Sequence, residues 1–239
     1  MRHLLMAFFL LPFGAFCTAA QQACTDAVSC NGVGTAAYQT GRSAEALQAF
    51  VRQLGFAEDA DDSKAQELAL NNLMLASLKA GQNGMARAWM QRALRAGFEG
   101  EATRFNLAKV AAAVDYAALQ ASAEGRYLRY AGQGGWSVIE VRRQGDGYRL
   151  QFYPIRVGRG PLDDYGPAAI GELSGRLDGR GPYWTVRDTG LAEGCTLGVL
   201  RESLDLRVLE VFGERCQDYG GAGISVAGEY LKVDSRLAD

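Results

Sequence analysis

Histidine is almost missing from this 239-residue chain, with His3 the single one. If the first residues are removed, no histidine is left. Ser-His and Cys-His nucleophilic mechanisms, imidazole general bases and imidazole metal ligands are then excluded. Lysine is scarce too. Lys64, Lys79, Lys109 and Lys232 are the only four, and none follows a serine by three positions, so a Ser-x-x-Lys nucleophile is absent. There is no Cys-x-x-Cys pair, and neither a metal nor a cofactor is expected. Charge is close to balance, with 25 basic against 27 acidic residues and a formal net charge of −2. Nothing in that balance asks for a nucleic-acid partner.

Long apolar runs are lacking except at the start. Arg2 and His3 precede the run Leu4 to Phe16, which only Pro12 and Gly14 interrupt, and Thr18-Ala19-Ala20 supplies small residues for cleavage before Gln21. Residues 1–20 therefore read as a signal peptide. The run is shorter than the roughly 20 apolar residues of a membrane span. Cys17 follows Phe16 rather than the small residue a lipidation site prefers, so an outer-membrane lipoprotein ranks second to a periplasmic or secreted protein. No stable membrane insertion of the mature chain is expected.

What the mature chain does contain is four cysteines: Cys24, Cys30, Cys195 and Cys216. An even number in an exported chain reads as two disulfides. Of the three possible pairings, Cys24–Cys30 with Cys195–Cys216 keeps each bond within one half. Cys24 must then lie outside the helix that holds Cys30, because six residues of continuous helix span about 9 Å along the axis.

Residues 21–122 are expected to be helical. Gly41-Arg42-Ser43 through Phe50 aligns with Gly81-Gln82-Asn83 through Met90, matching Ala46 to Ala86. The spacing predicts two helix–turn–helix units. Glycine would end one helix, Ser43 or Asn83 would cap the next, and a small alanine would permit close approach. A third unit is expected from Phe105-Asn106-Leu107-Ala108 to Tyr116-Ala117-Ala118-Leu119. With Leu73, Gly81, Ala86, Met90 and Ala93 on its spacing, the region 30–98 resembles the tetratricopeptide repeat. The 40-residue offset exceeds that family's 34, and the surplus is assigned to Phe56 to Asp62. The resemblance implies a partner-binding face on the first helix of each unit, carrying Tyr38, Gln39, Asn71, Leu75 and Lys79. The acidic run Glu58-Asp59-Ala60-Asp61-Asp62 lacks a calcium-loop pattern. It reads as a solvated approach to a capping box at Ser63-Lys64-Ala65-Gln66.

Residues 125–239 change character, losing alanine and gaining short alternating runs between turn residues. About eight antiparallel strands are expected, at 127–130, 136–143, 148–157, 170–177, 183–187, 195–200, 206–212 and 224–233. The Asp-Gly within Gly145-Asp146-Gly147 marks a hairpin. The fold class is α+β, a short tetratricopeptide-like helical array followed by a small antiparallel β-barrel or β-sandwich. The loop 158–167 is the longest irregular piece of this half, and its Arg159, Asp163, Asp164 and Tyr165 are candidate partner-binding residues together with Trp184. With its Gly-led first strand and late cysteine bracket, this half resembles small exported bacterial β-domains, some of which inhibit lysozyme-like or toxin enzymes.

The expectation is an exported, non-catalytic module that binds a protein or peptide in the cell envelope. An immunity-type inhibitor of a secreted toxin or cell-wall hydrolase is the alternative. A carboxylate-dependent hydrolase using two of Asp163, Asp164, Asp188 and Glu193 is the third reading, although no spacing selects a pair.

Overall fold

The computed structural model describes residues 24–158, 168–179, 181–193, 195–209, 216, 218–221 and 223–237. The expected signal peptide, with His3 and Cys17, lies outside them, as do Arg159, Asp163, Asp164 and Tyr165. Among the described residues, helices come first and strands after. The helices are α1 (Ala27–Gln39), α2 (Ser43–Asp59), α3 (Ser63–Lys79), α4 (Asn83–Arg95), α5 (Glu101–Ala113) and α6 (Tyr116–Gln120).

One turn geometry separates the first five helices, and backbone chemistry explains it. After α1, the amides of Gly41 and Arg42 donate to the carbonyls of Tyr38 and Ala37. Gly81 and Gln82 repeat this after α3, and Gly97 and Phe98 after α4. The three glycines sit at φ +78°, +71° and +73°, where a Cβ is disfavoured. After α2 the same position is Asp61, at φ +50°. Residues 56–59, the first part of the stretch to which the surplus over the repeat length is assigned, extend α2. The cap of α3 is also Asp62 rather than Ser63, its carboxylate accepting from the amides of Lys64 and Ala65 at 3.0 Å each. Ser43 and Asn83 are the first residues of their helices, preceded by Arg42 and Gln82, which make no side-chain cap. Asn83 instead donates to the carbonyl of Ala113, 2.9 Å away, tying α4 to the end of α5.

The strands are β1 (Gly125–Gly132), β2 (Gly135–Gln144), β3 (Gly147–Tyr153), β4 (Ile155–Val157), β5 (Ala168–Ile170), β6 (Leu173–Asp178), β7 (Tyr183–Arg187), β8 (Leu197–Glu202), β9 (Asp205–Val208) and β10 (Gly228–Asp234). Eight of them close an antiparallel barrel in the order β1-β10-β9-β8-β7-β6-β3-β2, while β4 and β5 pair separately. The barrel alternative is therefore the one realised. The run 148–157 breaks at Pro154, which has no amide to offer a ladder. Of the runs 206–212 and 224–233, β9 ends at Val208 and β10 begins at Gly228. Alternate residues of β1, β2, β3 and β10, such as Tyr127, Ile139, Leu150, Phe152 and Tyr230, fill the barrel interior. The interior is a packed core.

Both disulfides form as paired from sequence, Cys24–Cys30 and Cys195–Cys216. Asp26, between Cys24 and α1, accepts from the amide of Ser29 at 2.7 Å and starts the helix there. Cys24 is thus outside the helix and its Cα is 4.9 Å from that of Cys30. Two disulfides point to an oxidising compartment. Among the described residues no helix is long and apolar enough to cross a membrane.

Array and barrel are joined mainly by α4 and the end of α2. Gly84 lets α4 lie on β10, since a Cβ there would run into the carbonyl of Val233. One turn on, Ala88 packs with Leu128 and Val233. Trp89 meets Trp136 edge-on at 4.8 Å, and Tyr130 stands edge-on to Trp136 at 5.0 Å.

A candidate functional site at the array–barrel junction

A cleft of about 350 Å³ opens where the end of α2, the turn to α3, α4, the β1–β2 turn and β4 meet. Its array side carries Glu58, Asp59, Asp61, Gln66 and Arg92. Its barrel side carries Tyr130, Gln133, Val157 and Gly158 among others.

Local structure positions each wall. The β1–β2 turn is a two-residue hairpin of Gln133 and Gly134 at φ +48° and +76°, and it presents the Gln133 amide to α2. Glu58 takes three donors: Arg92 Nη2 at 3.1 Å, Tyr130 Oη at 2.8 Å and the Gln133 amide at 2.6 Å. Asp59 accepts from Gln133 Nε2 at 2.6 Å. The Tyr130 hydroxyl accepts in turn from the Gly134 amide at 2.8 Å, and its ring lies 5.0 Å from the Arg92 guanidinium. Burial, reinforced by the Glu58 carboxylate, pushes the Tyr130 phenol well above its ordinary range. It stays a neutral donor to Glu58 at physiological pH.

Among the described residues the array wall thus carries three carboxylates, Glu58, Asp59 and Asp61, beside the Arg92 guanidinium. Glu58 is nearly enclosed, its side chain 13 % exposed, and its charge is matched by Arg92. Among the described residues Asp59 meets only a neutral side-chain amide, that of Gln133, so its exposed carboxylate suits a cation. Of the run read as a solvated approach to a cap, residues 59–62 are exposed and Asp62 caps α3, whereas Glu58 departs from that reading: it is half-buried and, with Asp59, accepts from the barrel turn. Nothing local signals this, because the groups that claim them lie more than 70 positions downstream in the chain.

The residues proposed from sequence lie elsewhere. Tyr38 and Lys79 do come together, Lys79 Nζ donating to the Tyr38 carbonyl at 2.5 Å and lying 4.2 Å from its ring centroid. Gln39 is exposed beside them and Leu75 is half-buried. Asn71 is inside the array, donating to Thr103 Oγ1 at 2.8 Å and accepting from Asn106 Nδ2 at 2.9 Å, and so holds α5 against α3. Trp184 is buried in the barrel core beside Tyr148. Asp188 and Glu193 are exposed, and Asp188 pairs with Arg176 at 3.8 Å. Arg159 follows Gly158 of the cleft wall but lies, with Asp163, Asp164 and Tyr165, outside the described residues. Among the described residues no three His, Cys, Asp or Glu side chains are placed to hold a metal ion together.

No protein-family model matches the chain, no curated protein is similar to it, and no solved structure is similar to it.

Proposed function

We propose that the chain is an exported, non-catalytic binding protein whose partner is a protein or peptide, and that the junction cleft receives a basic side chain of that partner. The observation that carries this reading is the exposed Asp59 carboxylate, which among the described residues meets only the neutral Gln133 amide, in a cleft walled by both halves. Its walls are held by hydrogen bonds, so little ordering is needed on binding. The two disulfides support an oxidising compartment, and the apolar start of the sequence supports export to the periplasm or beyond. A second contact region follows from the repeat resemblance. Among the described residues α1, α3 and α5 make no substantial contact with the strands, which leaves Gln39 and the Tyr38–Lys79 pair on helices that the barrel does not cover substantially.

The test uses the full mature chain and short synthetic peptides that differ at one position, Lys, norleucine or Glu. The Lys peptide is expected to bind at least about tenfold more tightly than the other two, a difference of ~1.4 kcal/mol. Asp59→Asn is expected to remove that preference, and raising the salt to weaken it. Equal binding of the three peptides, or a preference untouched by Asp59→Asn, overturns the proposal.

A further inference from the structure

The first and last strands of the barrel carry the same pattern. Gly125-Arg126-Tyr127-Leu128-Arg129 in β1 is matched by Gly228-Glu229-Tyr230-Leu231-Lys232 in β10. These strands are antiparallel neighbours at the closing seam, with Tyr127 paired to Lys232. Each feature of one copy recurs in the other.

Both tyrosines are buried, at 0 % and 1 % exposure. Each hydroxyl donates to the carbonyl four residues upstream, Tyr127 to Ala123 at 2.6 Å and Tyr230 to Val226 at 2.9 Å. Each cation crosses to the other strand's tyrosine: Lys232 Nζ and the Arg129 guanidinium both lie 5.5 Å from the centroids of Tyr127 and Tyr230 respectively. Each then donates to the carbonyl five residues before that tyrosine, Lys232 to Ser122 at 2.7 Å and Arg129 to Ser225 at 2.5 Å. Even the glycines correspond. They sit at φ +142° and +134°, and a Cβ would lie 2.8 Å from Lys232 Cε at Gly125 and 2.7 Å from Arg129 Cδ at Gly228. At both glycines a side chain would meet the opposite cation's stem, and at Gly125 it would meet the carbonyl of Asp234 as well.

The helical array straddles this seam. On the β10 side Arg87 of α4 donates to the Lys232 carbonyl at 2.8 Å, and Gly84 rests on Val233. On the β1 side Trp89 and Arg92 of the same helix meet Tyr130. Helix α4 therefore sits flat only if β1 and β10 hold one fixed relation.

We propose that the duplicated Gly-x-Tyr-Leu-(Arg/Lys) pattern is a reciprocal lock on the barrel seam, and that the array stays docked only while this lock is closed. Arg129 is the informative arm, because its hydrogen bonds go to Ser137 and Ser225 and its ring contact to Tyr230, none of them in a helix.

The experiment is hydrogen–deuterium exchange on the full mature chain, comparing wild type, Arg129→Met, Arg129→Lys and the milder Tyr230→Phe. In Arg129→Met, amides of β1, β10 and α4 are expected to exchange at least about fivefold faster together, while β3 and β6 keep their protection. Arg129→Lys should restore most of it, and Tyr230→Phe should show the same pattern more weakly. If Arg129→Met fails to fold, Tyr230→Phe decides alone. Faster exchange confined to residues near 225–230, with α4 unchanged, overturns the proposal. So does uniform loss across the barrel in Tyr230→Phe.

Discussion

Arg87 donates to both carboxylate oxygens of Asp205, at 3.0 and 2.7 Å, across the boundary between the helical array and the barrel. The same Arg87 Nη1 also reaches the carbonyl of Lys232, and Asp205 Oδ1 accepts the Lys232 amide at 2.8 Å. One guanidinium thus ties α4 to β9 and β10 at once. Its fork geometry suits this, since a guanidinium presents several donors in one plane where an ammonium offers a single point. Arg87 is nearly enclosed, at 5 % side-chain exposure, while Asp205 keeps 26 %.

Removing one partner leaves the other charge stranded. Asp205→Asn is therefore expected to destabilise the protein by about 3 kcal/mol, the scale seen for broken buried pairs. Replacing both, as Arg87→Met with Asp205→Asn, should cost less than the sum of the two single changes. Urea denaturation followed through tryptophan fluorescence measures it. Additive losses in the double variant would mean the two side chains act independently.

Stability should rise and then fall as the solution is made alkaline. Burial, with the nearby Arg201, pulls the Lys232 ammonium down to about 8, against the opposing pull of Glu124 and Asp205. Between there and the ordinary lysine value the unfolded chain holds a proton that the folded chain has released, so raising the pH favours the fold. The buried phenols act with the opposite sign. Tyr230 is pushed up to about 12, and Tyr127 and Tyr130 are raised by burial as well. Above the ordinary tyrosine value the unfolded chain ionises first, and the fold loses stability. The urea midpoint should climb from pH 7.5 to about 10 and decline beyond it. Lys232→Met should flatten the climb and leave the decline. A climb of unchanged size in that variant would assign it to another group.

A chain lacking residues 1–20 should show no free thiol under denaturing conditions, and peptide mapping should recover Cys24–Cys30 and Cys195–Cys216. Converting Cys195 and Cys216 to serine is expected to cost about 3 kcal/mol, and converting Cys24 and Cys30 about 2 kcal/mol, since the loops closed span 21 and 6 positions. Thermal or urea unfolding of each double variant orders the two. A larger loss from the shorter loop would place the effect in the native anchoring of Cys24, whose carbonyl accepts from Arg52 at 2.8 Å.

By itself the sequence was enough for whatever is short-range. Helix ends at Gly41 and Gly81, a hairpin within Gly145-Asp146-Gly147 and the nearest-neighbour disulfides all follow from backbone sterics and chain proximity, which a local stretch states in full. The helical half followed by a strand-rich half was legible for the same reason, through hydrophobic period. Residue roles that depend on a distant partner were not legible. Asn71 looks like a surface amide until Thr103 and Asn106 of α5 enclose it. Glu58 looks like one more solvated acid until Tyr130 and Gln133 arrive from the barrel. Barrel closure, rather than a sandwich, was decided only when β10 returned to β1, because alternation along a strand tells which face is buried and not which strand lies beside it. The cleft belongs to that second class. Its acids and its aromatic wall come from opposite halves of the chain, and only the docking of α4 across the barrel seam brings them together.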